Sequence, residues 1–231
     1  LDEMLKSKDD SISGKTVAIS GSGNVATFAA EKVNHRGGKV VTLSDSSGFI
    51  YDPDGVDQEK LNWIKDLKNI RRGRISEYTD KFKKAEFRLG EKPWGVSVDL
   101  AMPCATQNEI STGEAKTLLA NGCMGVAEGA NMPTEIGGIH AFLGAKILFA
   151  PAKAANAGGV AMSGLEMSQN SERRSWSNDE LRALLRELMT GIHASCQEAG
   201  KQKDGWTNYM AGANIAGFKK VADAMLAFGV V

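Results

Sequence analysis

The chain has 231 residues, 42% of them hydrophobic, enough to bury the core of one large α/β domain or two small ones. Its 28 basic residues balance 28 acidic residues, so no overall charge favours nucleic acid or an anionic membrane surface. The three cysteines show neither a CxxC motif nor a Cys/His spacing, which argues against a metal site and a disulfide framework and favours a reducing compartment.

No targeting or membrane segment is indicated. No apolar run approaches the roughly 20 residues of a membrane span, and we expect no membrane partner. Residues 1–6 lack an initiator methionine and a signal-peptide pattern, and they are typical of the end of an amphipathic helix. We therefore expect a cytoplasmic chain that begins within a longer protein.

Short apolar runs alternate with helical patterns over the first 150 residues. In chain order the predicted elements are a strand at residues 16–20, a helix at 24–36, a strand at 39–43, a helix at 57–70, a strand at 96–102, a helix at 111–121, a strand at 123–127, a helix at 134–143 and a strand at 146–150. Strands that alternate with helices predict βαβ units with right-handed crossovers. The predicted fold class is α/β, with a doubly wound, Rossmann-like and mostly parallel sheet.

After residue 150 the pattern predicts only helices. They cover residues 157–169, 178–199 and 211–228, and Asn178 is the expected N-cap of the second. We predict one domain over residues 1–231, with an α/β core at residues 1–150 and a helical portion at residues 151–231.

A glycine-rich turn joins the first predicted strand to the helix after it. Gly21 permits the tight turn, Gly23 lets a pyrophosphate approach the backbone, and the small Ala26 lets the helix pack closely. The helix N-terminus offers free N–H groups to phosphates, and Asn24 is placed to contact a dinucleotide. We interpret the turn as a dinucleotide-binding motif, with a purely structural turn as the alternative. The full match to G-x-G-x-x-[G/A] is Gly21-Ser22-Gly23-Asn24-Val25-Ala26.

The choice of dinucleotide depends on residues after the second strand. Asp45 closes that strand, where a carboxylate normally accepts hydrogen bonds from the adenosine ribose and favours NAD. A basic cluster at residues 65–74, which includes Lys68 and Arg74, could instead bind the 2′-phosphate of NADP together with the Ser46 hydroxyl. The alternative is that these charges form a solvated helix face, which is the usual explanation of such a cluster. On these residues alone, NAD and NADP are about equally supported.

Polar residues also follow two later strands. Thr106 and Gln107 come after the strand at residues 96–102, at the sheet edge where ligands bind in open α/β folds. Asn131 follows the next strand, where a turn asparagine that bonds its own backbone is the alternative. Cys104 has no recognisable base nearby, so we expect a buried and unreactive thiol.

The segment after residue 150 places polar residues on one predicted helix face. Asn156, Val160, Ser163 and Met167 are spaced i, i+4, i+7 and i+11. Core packing is the usual meaning of such a face. An amide and a hydroxyl are costly in an apolar core without partners, so we favour a pocket.

These motifs resemble the cofactor-binding half of glutamate dehydrogenases, and the resemblance covers nearly the whole chain. It is carried by SGSGNV at residues 20–25, PCATQNE at 103–109, EGANMPT at 128–134, KAANAGGVAMSGLEM at 153–167 and GANIAGF at 212–218. SGSGN and the SDS at residues 44–46 are similar to the NADP-dependent branch. The resemblance therefore implies NADP, with NAD as the alternative.

The resemblance also implies roles for individual residues. Ser46 and Lys68, with Arg74 as a weaker match, would lie at the 2′-phosphate, and Asn131 near the nicotinamide. Val160 would pack on the substrate side chain while Ser163 bonds its distal carboxylate. The expected cofactor-binding residues are Gly21, Ser22, Gly23, Asn24, Val25, Asp45, Ser46, Lys68, Arg74, Thr106, Gln107, Asn131 and Asn156.

The implied reaction is the reversible reductive amination of 2-oxoglutarate by ammonia to L-glutamate and water, in which NADPH is oxidised to NADP⁺. It needs cations for the substrate carboxylates, a lysine of lowered pKa and an acid–base carboxylate. In the resembled family these groups belong to an N-terminal domain, and no matching motif occurs here. We therefore expect no catalytic residue in this chain, which would bind the cofactor without turning over alone. Full-length relatives are typically homohexamers.

Other readings stay open. The chain could belong to an NAD-linked or dual-specificity glutamate dehydrogenase, or to another amino-acid dehydrogenase, although Ser163 speaks for a substrate with a distal carboxylate. It could also be a non-catalytic dinucleotide-binding module. A methyltransferase with a similar glycine turn leaves the motifs at residues 103–109 and 153–167 unexplained.

Overall fold

The computed structural model describes residues 1–229, and the chain divides into two compact units. The first unit is Leu1–Leu148, and the second begins at Phe149. Residues 230 and 231, the end of the predicted domain, lie outside the described residues. Whether the two units act as one dinucleotide-binding domain stays a prediction.

A seven-stranded sheet is the centre of the α/β part. Its strand order is β4-β3-β2-β1-β5-β6-β7, and the boundary between the units falls within β7. β1 is parallel to β2 and β5, and β6 is parallel to β5. The predicted α/β, Rossmann-like and mostly parallel sheet is therefore confirmed. The strands are β1 Thr16–Ile19, β2 Lys39–Asp45, β3 Gly48–Tyr51, β4 Glu86–Leu89, β5 Leu100–Met102, β6 Gly125–Ala127 and β7 Leu148–Ala150.

Two strands were not predicted. β3 runs antiparallel to β2 and β4 antiparallel to β3, so they extend the sheet beyond β2. Asp45 pairs with Gly48 across a turn of only two residues. Gly48 has φ +150°, and a Cβ there would lie 2.2 Å from the Arg88 carbonyl oxygen, so this close strand approach requires glycine.

The helices of the first unit connect these strands. Asp57 caps α3 by accepting a hydrogen bond from Lys60 N–H, and Ser111 with Glu114 forms a capping box at α5. The predicted helix at residues 57–70 ends early, because a π-helical turn follows α3 and stops at Arg72, which is left-handed. The helices are α1 Asp2–Lys6, α2 Asn24–His35, α3 Gln58–Asp66, α4 Tyr78–Lys81, α5 Thr112–Ala120 and α6 Ile136–Gly144.

The second unit contains helices α7 Ala152–Ala155, α8 Ala157–Glu172, α9 Asn178–Gly200 and α10 Tyr209–Phe228. The expected Asn178 cap is wrong by one residue, because the Ser177 side chain accepts the Glu180 N–H in a capping box. α9 and α10 touch at their backbones, since a Cβ on Gly212 would lie 2.0 Å from the Cys196 carbonyl oxygen. Among residues 1–229, no helix has both the length and the apolar character needed to cross a membrane.

The strand order reverses between β1 and β5. From β1 the chain proceeds to β2 on one side, and β5 and β6 lie on the other. In open α/β sheets, ligands bind beyond the carboxyl ends of the strands at such a switch point. The loops after β1, β2, β5 and β6 are therefore where a site is expected.

Candidate functional site

The glycine turn after β1 is held in place by its neighbours. Gly21 has φ +83°, and its N–H donates to the Ser44 hydroxyl at 2.7 Å. A Cβ on Gly21 would lie 3.1 Å from the Cys104 carbonyl oxygen, so glycine is required for both conformation and space. Ser22 is buried beside it. The turn is thus a rigid connection between β1, β2 and the start of the loop after β5.

Gly23 differs from Gly21 in what surrounds it. It is the N-cap of α2, with φ −82°, and a Cβ there would meet nothing within 4 Å. Among the residues that the structure describes, no side chain caps this helix N-terminus. Asn24 and Val25 in its first turn are exposed. Free N–H groups at an uncapped helix start form an anion site. Gly23 leaves open the space that a phosphate needs.

Asp45, at the end of β2, is already hydrogen-bonded through both carboxylate oxygens. Oδ1 accepts the backbone N–H of Ser47 at 2.9 Å and its hydroxyl at 2.5 Å. Oδ2 accepts from Lys68 Nζ at 3.2 Å and from the Ile75 N–H at 2.9 Å. Burial opposes the ionisation of Asp45, but the hydrogen bonds from Ser47, Ile75 and Lys68 outweigh it and lower its pKa to about 2.

Ser46 lies in the two-residue turn next to Asp45. Its hydroxyl accepts a hydrogen bond from Arg74 Nη1 at 2.8 Å, and both side chains are exposed. Lys68 also donates to the Gly73 carbonyl at 3.0 Å, which ties the π-helical turn to the residues before Ile75. Asp45, Ser46, Lys68 and Arg74, which the sequence singled out together, therefore meet in one cluster. In it, Lys68 contacts the Asp45 carboxylate and Arg74 contacts the Ser46 hydroxyl.

Thr106 and Gln107 lie in the loop after β5, and both are exposed. The Glu109 side chain holds this loop, because its Oε1 accepts hydrogen bonds from the N–H of Ala105 at 3.0 Å and of Thr106 at 3.3 Å. Asn108 is left-handed, with φ +52°. The loop thus presents Thr106 and Gln107 at the carboxyl edge of the sheet, as predicted.

Asn131 lies in the loop after β6 and is exposed. That loop is joined to the loop after β5, because the N–H groups of Gly129 and Ala130 both donate to the Pro103 carbonyl at 2.9 Å. A Cβ on Gly129 would lie 2.6 Å from Cys104 Sγ, so glycine allows this approach. Asn131 and the residues after β5 therefore lie on neighbouring loops.

Cys104 is buried, as expected from the sequence. Burial raises the pKa of its thiol to about 12, and the nearby Glu109 charge acts in the same direction. A thiol with such a pKa is protonated at neutral pH and does not act as a nucleophile. Among the described residues, no group of three or more His, Cys, Asp or Glu side chains is placed to hold a metal ion.

Asn156, Val160 and Ser163 belong to the second unit. Asn156 is not inside the helix, as the spacing predicted, but at the junction between α7 and α8. Val160 and Met167 are 76% and 71% exposed, and Ser163 is also exposed. This face of α8 is therefore not packed in the core of its unit. Its role at a ligand stays a prediction.

Several groups at these loops were not identified from the sequence. Ser47 and the Ile75 N–H hold Asp45, Ser44 holds Gly21, and Glu109 holds the loop after β5. An aspartate that bonds the backbone two residues later is a common turn arrangement, which points to Ser47. The other contacts join residues far apart in sequence, and no local pattern indicates them.

Comparison with known proteins gives a consistent family match. Residues 1–229 match the family model described as Glutamate/Leucine/Phenylalanine/Valine dehydrogenase. The chain is 56% identical to the NAD(P)-specific glutamate dehydrogenase of Xylanibacter ruminicola, over 100% of this chain and 52% of that protein. It is 54% identical to the NADP-specific glutamate dehydrogenase of Haemophilus influenzae, over 98% and 51%. The NAD-specific glutamate dehydrogenase of Bacteroides fragilis is 47% identical, over 100% and 52%.

The fold is shared with a solved structure of similar sequence. The crystal structure of Plasmodium falciparum glutamate dehydrogenase matches with a TM-score of 0.95 and 46% identity, covering 99% of this chain and 49% of that one. The chain spans about half the length of the curated relatives it matches.

Proposed function

Because the chain belongs to the Glutamate/Leucine/Phenylalanine/Valine dehydrogenase family, we propose that it is the cofactor-binding portion of an NADP-dependent glutamate dehydrogenase. The observation that carries the choice of cofactor is the cluster of Asp45, Ser46, Lys68 and Arg74 after β2. Family membership supports an oxidoreductase, and names of relatives that include NADP, NAD and NAD(P) support a nicotinamide dinucleotide.

The proposed binding mode follows the order of the strands. The pyrophosphate would take the open space at Gly23 and the free N–H groups of α2. β2 and β5 flank β1, so the adenosine half would lie toward Asp45 and the nicotinamide half toward Thr106, Gln107 and Asn131. Gly21, Ser22, Asn24 and Val25 would form the wall of the turn.

NADP is favoured because the carboxylate of Asp45 already accepts hydrogen bonds from other groups of the protein. A carboxylate has about four lone-pair sites, and Asp45 already accepts hydrogen bonds from two Ser47 groups, Lys68 and Ile75. It has little capacity left for ribose hydroxyls. Lys68 and Arg74 offer two cationic donors beside the Ser46 hydroxyl. A 2′-phosphate would complete this cluster.

A second candidate is dual or NAD-linked specificity. It is favoured by the position of Asp45, since a carboxylate at the end of β2 is the usual partner of the ribose of NAD. Breaking the Lys68 contact would free one lone pair of Asp45 Oδ2 for that role. The two candidates differ in whether the 2′-phosphate adds affinity.

The proposed reaction is the reversible conversion of 2-oxoglutarate and ammonia to L-glutamate, with the cofactor supplying the hydride. Val160 would contact the aliphatic part of the substrate, and Ser163 would donate to its distal carboxylate. Asn156 would lie at the cofactor. We place the catalytic lysine and carboxylate outside this chain, and we expect a cytoplasmic homohexamer for the longer protein.

The experiment that tests the proposal is calorimetric titration of the purified chain with 2′,5′-ADP and with 5′-AMP. These ligands differ only in the 2′-phosphate. We expect at least about tenfold tighter binding of 2′,5′-ADP, because each hydrogen bond to a charged group contributes about 1.5–3 kcal/mol. Equal affinities would contradict an NADP site.

A further inference from the structure

Glu109 is a buried carboxyl that lies at the centre of the loops after β1 and β5. It is 7% exposed, and its side chain turns back along its own loop to accept hydrogen bonds from the Ala105 and Thr106 N–H groups. The Ser20 hydroxyl bonds to the same carboxylate. Three groups from two loops therefore converge on one side chain.

Ser20 makes this a connection between strands. Its Oγ also accepts the Cys104 N–H at 2.9 Å, so the end of β1 is joined to the loop after β5 at two points. The residue that follows Ser20 is Gly21, whose turn faces the same loop. Glu109 and Ser20 thus set the distance between the glycine turn and Thr106.

The backbone of Glu109 is fixed as firmly as its side chain. Lys92 Nζ donates to its carbonyl oxygen at 2.8 Å, and Trp94 Nε1 donates to the same oxygen at 3.3 Å. The next residue, Ile110, donates its N–H to the Pro133 carbonyl at 2.9 Å, in the loop that carries Asn131. Glu109 and the residue after it therefore connect the loops after β1, β5 and β6.

Burying the carboxyl group of Glu109 costs free energy. Burial raises the pKa of Glu109, although hydrogen bonds from Ser20, Ala105 and Thr106 and the charge of Lys92 oppose that rise. An apolar side chain would fill the space without this penalty, but it would leave the N–H groups of Ala105 and Thr106 without their acceptor. The arrangement fits a side chain whose purpose is to hold a loop in one conformation.

We propose that Glu109 is a positioning residue that, with Ser20, holds the loop of Thr106 and Gln107 in the conformation that receives the nicotinamide half of the cofactor. The inference rests on the proposed dinucleotide site and adds a residue to it. The Asp45 cluster lies after β2, on the opposite side of β1 from this loop.

A comparison of two ligands separates this role from general stability. NADPH spans both halves of the proposed site, whereas 2′,5′-ADP occupies only the adenosine half. The variants are Glu109→Ala, which removes the acceptor of both loop N–H groups, and Ser20→Ala, which removes the hydroxyl. The matched control is Glu180→Ala, since Glu180 completes the capping box of α9 with Ser177 and belongs to the second unit. Urea unfolding of each variant reports its stability.

We expect Glu109→Ala and Ser20→Ala to weaken NADPH binding by about tenfold while 2′,5′-ADP binding stays within about twofold. Glu180→Ala is expected to lower stability and to leave the ratio of the two affinities unchanged. Equal losses for both ligands, or no loss for either, would overturn the positioning role. If Glu109→Ala fails to fold, Ser20→Ala carries the same comparison. A wild-type chain that binds neither ligand would instead overturn the proposed function.

Discussion

Lys68 Nζ lies 3.2 Å from Asp45 Oδ2, and this contact determines what the carboxylate at the end of β2 can do. The oxygen also accepts the Ile75 N–H at 2.9 Å, while Ser47 occupies the other oxygen. Asp45 therefore holds Lys68 in the basic cluster, and its carboxylate has little capacity left to accept hydrogen bonds from a ribose. A single aspartate at this strand end does not by itself specify NAD.

The first prediction concerns Lys68. Lys68→Ala removes a cation from the proposed 2′-phosphate site and frees one lone pair of Asp45 Oδ2, which still accepts the Ile75 N–H. We expect NADPH to bind at least about tenfold more weakly, because a charged hydrogen bond is lost, and NADH to bind as well as before or more tightly. Fluorescence titration of both nucleotides measures this. Lys65→Ala is the control, since Lys65 pairs with Glu31 and not with Asp45. Equal losses for NADPH and NADH would refute the assignment of Lys68.

The second prediction concerns pH. The pKa of Asp45 is lowered to about 2 in the folded state. The ionised carboxylate therefore stabilises the fold fully at pH values above its pKa in the unfolded chain, and this stabilisation is lost as the pH falls through its pKa in the folded chain. We expect Asp45→Asn to lose about 2 kcal/mol of unfolding free energy near neutral pH. Its stability should approach that of the wild type between about pH 4 and pH 2. Urea unfolding as a function of pH measures the difference. A constant difference over that range would contradict the role of the ionised carboxylate.

The third prediction contrasts two glycines of one turn. Gly21→Ala forces a side chain into a left-handed conformation and against the Cys104 carbonyl, and we expect it to cost roughly 1–2 kcal/mol of stability as well as nucleotide binding. Gly23→Ala places its methyl group in open space, so the fold should keep its stability while NADPH binding falls. Thermal unfolding and nucleotide titration of both variants test the contrast. Unchanged NADPH affinity in Gly23→Ala would show that no phosphate approaches this residue.

The fourth prediction concerns turnover. The purified chain should bind NADPH without oxidising it in the presence of 2-oxoglutarate and ammonia, because the catalytic lysine and carboxylate are proposed to lie elsewhere. Absorbance at the reduced nicotinamide band measures this directly. Glutamate formation by the pure chain would place the catalytic groups within it.

Much of the sheet was predictable because its signals are local. Apolar runs indicated β1, β2, β5, β6 and β7, and the glycine turn was placed correctly between β1 and α2. The predicted strand at residues 96–102 was too long, since the Asp99 side chain takes the Thr16 N–H at 2.7 Å and only Leu100–Met102 pairs with β1. β3 was missed although it forms a local hairpin with β2. β4 was missed because Glu86–Leu89 alternates charged and apolar residues without an apolar run, and it pairs with β3 over a long sequence separation.

The site was predictable in part for the same reason. Asp45, Ser46, Lys68 and Arg74 could be grouped from motif positions, and they meet in the structure. The convergence of Ser20, Ala105 and Thr106 on Glu109 could not, because it joins residues 20 and 109 through side chains that no spacing rule connects. Asn156 was grouped by spacing with one face of the predicted helix at residues 157–169, and the structure places it just before that helix, at the junction between α7 and α8.

The central claim is that this chain holds NADP through a cluster in which Asp45 is already occupied. The most direct measurement is a titration of the unmodified chain with NADPH and, separately, with NADH, followed by nicotinamide fluorescence. We expect NADPH to bind at least about tenfold more tightly, because only NADPH engages Ser46, Lys68 and Arg74 through a 2′-phosphate. Equal binding, or tighter binding of NADH, would contradict a 2′-phosphate site at this cluster.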